Sequence, residues 1–129
     1  MHIKRPCIRK MDKKILIVDD DPGICNALAI LLRIEGYCVD ETTDSREAIS
    51  FIKKDRYDIC FFDYKMKGVN GIDLLKMTKD VNPRCSVFII SGMDMDEICN
   101  KEINADLATG SISKPFDIEA LLQRIETTC

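Results

Sequence analysis

A chain of 129 residues, 46% apolar and 32% charged, can bury one hydrophobic core without disulfides or a structural metal. Its net charge of −3 is unevenly spread: residues 1–14 hold six Lys/Arg against one Asp, so a basic start of +5 precedes an acidic body of −8. The acidic body argues against nucleic-acid binding by this domain, no run approaches the ~20 apolar residues of a membrane span, and the polar N-terminus lacks a signal-peptide core, so a cytoplasmic protein is expected.

Residues 1–11 are expected to be a disordered basic extension, with the folded domain at 12–129. Its first strand is predicted at 14–19, where Ile15-Leu16-Ile17-Val18 runs into Asp19-Asp20-Asp21. Asp21-Pro22 then reads as an N-cap and first helical residue. Ile24, Leu28, Leu31 and Leu32 are predicted to form the inner face of that helix, and Gly36 its stop. A short second strand at 37–41 follows, and Asp44 with Glu47 resembles a capping box at the start of the second helix, whose Ala48, Ile49 and Ile52 point inward.

The third strand, 58–63, carries an unbroken Ile59-Cys60-Phe61-Phe62 run, as expected of a central strand buried on both faces, and ends in Asp63. A loop over 65–70 leads to Gly71, which opens a third helix with Leu74, Leu75 and Met77 inward, and Asn82-Pro83 ends it. A fourth strand at 86–91 ends in Ser91, and a fourth helix is predicted over about 94–104. The fifth strand, about 110–113, leads to Lys114-Pro115, a candidate cis bond, and the last helix spans 117–127 with Ile118, Leu121, Leu122 and Ile125 inward. Five βα units predict one parallel sheet with helices on both faces. Seven cysteines without a CxxC pair, and one histidine, His2, read as reduced thiols, with Cys25, Cys38, Cys60 and Cys85 acting as small hydrophobes. Cys7 and Cys129 are placed near the ends.

Parallel strands finish at one sheet edge, where α/β sheets place their ligands. Asp19, Asp20, Asp63, Ser91 and Lys114 should therefore converge. Two carboxylates ~4 Å apart repel by ~4 kcal/mol at an effective dielectric near 20, so three together need a cation or a raised pKa. Hard carboxylate oxygens select Mg²⁺, which favours phosphoryl chemistry. Asp63 then suits a phosphoryl-accepting nucleophile, Ser91 a hydroxyl donor with Gly92 leaving room beside it, and Lys114 a positive charge on the phosphoryl oxygens. Taken alone, Asp21 is a cap, Lys114-Pro115 a turn, and Met66, Met77, Met93 and Met95 packing residues.

The anchors Ile15-Leu16-Ile17-Val18-Asp19-Asp20-Asp21-Pro22, Phe62 to Gly71, Ile90-Ser91-Gly92 and Ser113-Lys114-Pro115-Phe116 together resemble the response-regulator receiver domain of two-component signalling, over roughly residues 12–127. The resemblance implies a flavodoxin-like (βα)5 doubly wound sandwich with parallel strand order 2-1-3-4-5. It implies Asp63 as phosphoacceptor, Mg²⁺ held by Asp19, Asp20, Asp63 and the backbone carbonyl of Lys65, and phosphate readout by Ser91 and Lys114. The donor would be a sensor histidine kinase, a His phosphotransfer protein or a small acyl phosphate. The output would be a downstream protein or fused domain, or a homodimer, reached through the fourth helix, fifth strand and fifth helix. Such a domain assists its own phosphorylation and dephosphorylation and is no turnover enzyme.

The chain departs from that family at several points. Lys67 stands where a Pro is usual, Leu107 where a Gly is frequent, and Ser111 where a Tyr or Phe commonly swings in on activation. Lys65 and Met93 occupy the two positions that tune phosphoaspartate hydrolysis. Two other readings share the architecture. A haloacid-dehalogenase-like phosphatase would use Asp19 as nucleophile and need a late acidic pair after the fourth strand, where this chain has Ser91-Gly92 followed by Asp94 and Asp96 in a predicted helix. A flavodoxin-like cofactor binder would need a Ser/Thr/Gly-rich first loop where this chain is Asp-rich. A degenerate receiver acting only by binding is a third. The last predicted helix ends two residues before Cys129, which leaves open a stand-alone protein or a piece of a longer regulator.

Overall fold

A computed structural model describes residues 13–127. The extension expected at 1–11, and Cys7 and Cys129, lie outside the described residues. The elements run β1 (Lys14–Val18), α1 (Pro22–Ile34), β2 (Cys38–Thr42), α2 (Ser45–Lys54), β3 (Ile59–Asp63), α3 (Gly71–Val81), β4 (Ser86–Ser91), α4 (Met95–Lys101), β5 (Gly110–Ser113) and α5 (Ile118–Thr127), with a 3₁₀ turn at Ala105–Leu107. All strand pairs are parallel, in the order β2-β1-β3-β4-β5. No helix of the described residues is long and apolar enough to cross a membrane.

Alternation along the strands sorts the core into two layers. Ile15 and Ile17 of β1, Phe61 of β3 and Phe88 and Ile90 of β4 pack with Cys25, Leu28, Ala29 and Leu32 of α1 and with Leu121 and Ile125 of α5. The intervening residues Leu16, Val18, Cys60, Phe62, Val87 and Ile89 pack with α2, α3 and Ile98 of α4. Phe61 and Phe88 stack with centroids 5.4 Å apart. Each such side chain, fully buried, contributes about 1.5–3 kcal/mol, which is why strands covered on both faces hold the site so firmly. At the outer edge, Arg124 of α5 donates to the carbonyl of Ser111 at 2.9 Å and lies over the Phe88 ring, against Gly110.

Several local expectations shift. Leu31 is 39% exposed, and Cys25 and Ala29 take the inner face of α1 beside Leu28 and Leu32. Cys38 is exposed, because it opens the edge strand β2. The reciprocal box predicted at α2 does not close: Asp44 caps Arg46 N–H, while Glu47 accepts from the Thr42 hydroxyl instead. The box forms at α3, where Asn70 accepts from Asp73 N–H and Asp73 from Asn70 N–H. Helix α4 ends at Lys101 rather than near 104, because Glu102 is extended and Asn104 takes a left-handed φ of 74°. Met77, Ile49, Ile118 and Leu122 are only partly buried.

The capping box seats the start of α3 on the end of β3. Gly71 N–H donates to the Tyr64 carbonyl at 3.1 Å, and a Cβ at Gly71 would lie 2.5 Å from the Asp63 carbonyl oxygen. Backbone cannot yield as a side-chain tip can. Gly71→Ala is therefore expected to destabilise the fold by about 1–3 kcal/mol, read as a lowered urea midpoint with an unchanged m-value.

Candidate functional site

The strand order itself makes a crevice. From β1 the chain crosses through α1 on one face to β2, and from β3 through α3 on the other face to β4, so the connections diverge between the adjacent strands β1 and β3. Asp19 and Asp20 follow β1, Asp63 ends β3, Ser91 ends β4 in register with Ser113, and Lys114 follows β5. All five expected side chains thus lie at one edge.

Three of them bring carboxylates together. Asp19, Asp20 and Asp63 each offer an oxygen within 4.8 Å of the others. Asp19 is fully buried and Asp63 nearly so, while Asp20 is exposed. Among the described residues Lys114 is ion-paired with two of them: its Nζ lies 3.3 Å from Asp19 Oδ2 and 3.3 Å from Asp63 Oδ1. Burial, and then the Asp19 charge, push Asp63 up to about 7 against the pull of Lys114. Burial lowers the Lys114 ammonium, but Asp19 and Asp63 outweigh it and leave its pKa raised.

Asp19 is held by its neighbours. Its Oδ1 accepts from Asp21 N–H at 2.9 Å, and Asp21 in turn caps α1 through Gly23 and Ile24 N–H. Its Oδ2, though ion-paired, accepts no directed hydrogen bond. A buried carboxylate oxygen without a donor is costly unless a further positive partner completes it. Three carboxylates against the one ammonium ion-paired with them among the described residues, and Lys65 on the lining of the adjacent cavity, leave an excess negative charge. Oxygen-only donors, excess charge and an orphaned lone pair suit a hard divalent cation such as Mg²⁺.

Beside the carboxylates opens a cavity of about 410 Å³, lined by Asp63, Lys65, Ser91, Gly92, Met93 and Lys114. It can admit a phosphoryl group with the side chain that delivers it. The Ser91 oxygen accepts from Met93 N–H at 2.9 Å, which leaves its own O–H to donate into the cavity. A Cβ on Gly92 would meet nothing within 4 Å, so no crowding from this chain requires glycine there. Lys65 also lines an adjoining groove with Asp20, Tyr64, Met66, Lys67, Gly68 and Asn70. The Lys114-Pro115 bond is cis.

Two features escaped the sequence reading. The dual pairing of Lys114 has no linear signal, since one partner follows β1 and the other ends β3. The approach of Gly71 to Asp63 was hidden by reading Gly71 only as a helix start, although the Asn70…Asp73 spacing marks the box that enforces it.

A family model described as the response regulator receiver domain matches residues 15–126. Sporulation initiation phosphotransferase F of Bacillus subtilis is 32% identical over 118 residues, covering 90% of this chain and 93% of that protein. Regulatory protein VanRB of Enterococcus faecalis is 31% identical and also aligns with 90% of this chain, which spans only 52% of that longer protein. Among solved structures, the chemotaxis response regulator CheY4 of Vibrio cholerae superposes with a TM-score of 0.81 at 26% identity, over 91% of this chain and 98% of that one.

The raised Asp63 pKa has a consequence for stability without metal. A carboxyl that titrates near 7 folded and near 3.8 unfolded destabilises the fold where it is ionised, so stability falls as pH rises from about 4 through 7. Asp63→Asn should therefore raise the EDTA-treated unfolding free energy by roughly 1–4 kcal/mol at pH 7.5, with the gain vanishing near pH 4, as read by urea melts.

Proposed function

Because this chain belongs to the response regulator receiver family of two-component signalling, we propose that Asp63 accepts a phosphoryl group from the phosphohistidine of a sensor kinase or His phosphotransfer protein, or from a small acyl phosphate. An Asp63 oxygen attacks phosphorus, the P–N bond of the donor breaks, and the departing imidazole keeps the electron pair and takes a proton. The observation that carries this reading is the placement of Asp63 at the cavity wall, with Lys114 3.3 Å away and Ser91 on the same lining. Transfers of this kind depend mostly on positioning and charge stabilisation, and the ends of four strands supply both.

Asp19, Asp20, Asp63 and the backbone carbonyl of Lys65 would hold Mg²⁺. The ion, when bound, neutralises the carboxylates and the incoming phosphoryl oxygens. Lys114 binds one phosphoryl oxygen by charge. Ser91 donates its free O–H to another while keeping the Met93 N–H. The added charge of about −2 turns these two side chains into charge-assisted contacts worth roughly 1.5–3 kcal/mol each. Flipping a 1:99 equilibrium to 99:1 takes ~5.5 kcal/mol, so two contacts are of the right size to move the α4-β5-α5 surface. That surface would control a downstream protein, a fused output domain or a second copy of the chain in the cytoplasm, without nucleic-acid contact by this domain. The chain assists its own phosphorylation and dephosphorylation rather than turning over a separate substrate.

The phosphatase reading loses its acidic pair: Asp94 caps α4 by accepting from Glu97 N–H, and Asp96 is exposed on that helix. A flavin phosphate would meet the Asp19-Asp20-Asp21 loop, whose charge repels it.

Incubation with acetyl phosphate and Mg²⁺ is expected to add roughly 80 Da, one PO₃H unit, in a base-labile form absent from Asp63→Asn; an adduct that persists in that variant, or none at all, defeats the assignment. Lifetime should follow the cavity wall. Met93 presents an apolar side chain where a carboxylate could orient water, so Lys65→Asn with Met93→Glu should hasten decay by roughly an order of magnitude, and equal decay rates would reject this role.

A further inference from the structure

Helix α4 is weakly anchored for its place in the fold. It has seven residues, and Ile98 is its one buried side chain, whereas α3 buries five residues and α1 four. A helix this short has little stability of its own and relies on what holds its ends. Its N-terminal side is tied to Ser91: Met93 N–H donates to the Ser91 oxygen, and Asp94 caps Glu97 N–H at 2.8 Å.

The C-terminal end is tied to the phosphoacceptor strand. Tyr64, the residue after Asp63, has its backbone pinned on both sides: its N–H donates to the Ile90 carbonyl at 2.9 Å, and its carbonyl accepts from Gly71. The ring is buried in the α2/α3/α4 layer. Its hydroxyl donates to Glu102 Oε2 at 3.0 Å, and Glu102 is the C-cap of α4, with its own N–H on the Ile98 carbonyl. A side chain rooted beside Asp63 thus grips the far end of the helix whose near end hangs on Ser91. At β5, where an aromatic relay would sit, Ser111 has none to offer.

We infer that Tyr64 is the relay between the phosphoacceptor strand and α4, its hydroxyl fixing the Glu102 end so that α4 pivots there when Ser91 is drawn toward a phosphoryl group. The pivot rests on the phosphoacceptor reading above; the tether does not. Hydrogen exchange of the full chain, free and with Mg²⁺ and beryllofluoride, tests both. In the free protein, Tyr64→Phe should speed exchange of amides 99–102 roughly fivefold and leave α2 unchanged. Glu102→Ala should reproduce this, Glu102→Gln, which keeps an oxygen acceptor, should stay near wild type, and the Tyr64→Phe/Glu102→Ala pair should add nothing to either alone. With beryllofluoride, changes from Gly92 through α4 should stay within 92–98 in wild type, and in Tyr64→Phe they should reach the C-cap at 102. Unchanged exchange at 99–102 in both single variants overturns the tether. A wild-type response that already reaches 102, or one identical in Tyr64→Phe, overturns the pivot. If wild type ignores beryllofluoride and Asp63 takes no adduct, the phosphoacceptor reading and the pivot fail together, and the free-state comparison still decides the tether.

Discussion

The fold of this protein is arranged around a repulsion. Asp19 and Asp63 are buried side by side at the ends of adjacent strands, with Asp20 next to them and the Lys114 ammonium ion-paired to both. Carboxylates at such spacing oppose one another by several kcal/mol at the dielectric of a protein crevice, and desolvation adds to the cost. Hydrophobic strands on both sides make the arrangement affordable. β1 and β3 are covered by helices on each face, so their ends cannot splay to relieve the charge. Such an excess of negative charge suits a hard divalent cation at the crevice.

Much of this was legible because the strands are chemically plain. Runs such as Ile59 to Phe62 admit few readings when helical patterns flank them, and parallel order follows from the crossovers. The site was legible for the same reason: each loaded residue closes an apolar run. Finer features depend on tertiary contacts the periodicity does not encode. Leu31 fits the inner stripe of α1, but the helix is rotated so that the small residues Cys25 and Ala29 meet the sheet. The end of α4 carries no Gly or Pro, and the extended Glu102 and the left-handed turn at Asn104 stop a helix its composition would allow to continue. Glu47 stands at capping-box spacing, yet the Thr42 hydroxyl claims it.

The departures from the family pattern lie in the loop after β3 at Lys67, in the 3₁₀ turn at Leu107 and in β5 at Ser111. The cavity beside Asp63 has a charged and hydroxyl lining, whereas Ser111 stands in the fifth strand where the family commonly has an aromatic. On the proposed reading chemistry and relay are separable: the first would be set by strand ends locked into the sheet, the second by side chains at the margin of a short helix. Interactions at such a margin can be exchanged without disturbing the core that positions the carboxylates.

The guanidinium of Arg124 has a role of another kind. β5 closes one side of the sheet with four residues, and an open strand border exposes unpaired carbonyls that a passing extended chain could zip onto. By occupying the Ser111 carbonyl and lying across Phe88, this cation puts a hydrated charge on that border. A charge in that position disfavours a sixth strand pairing along this flank.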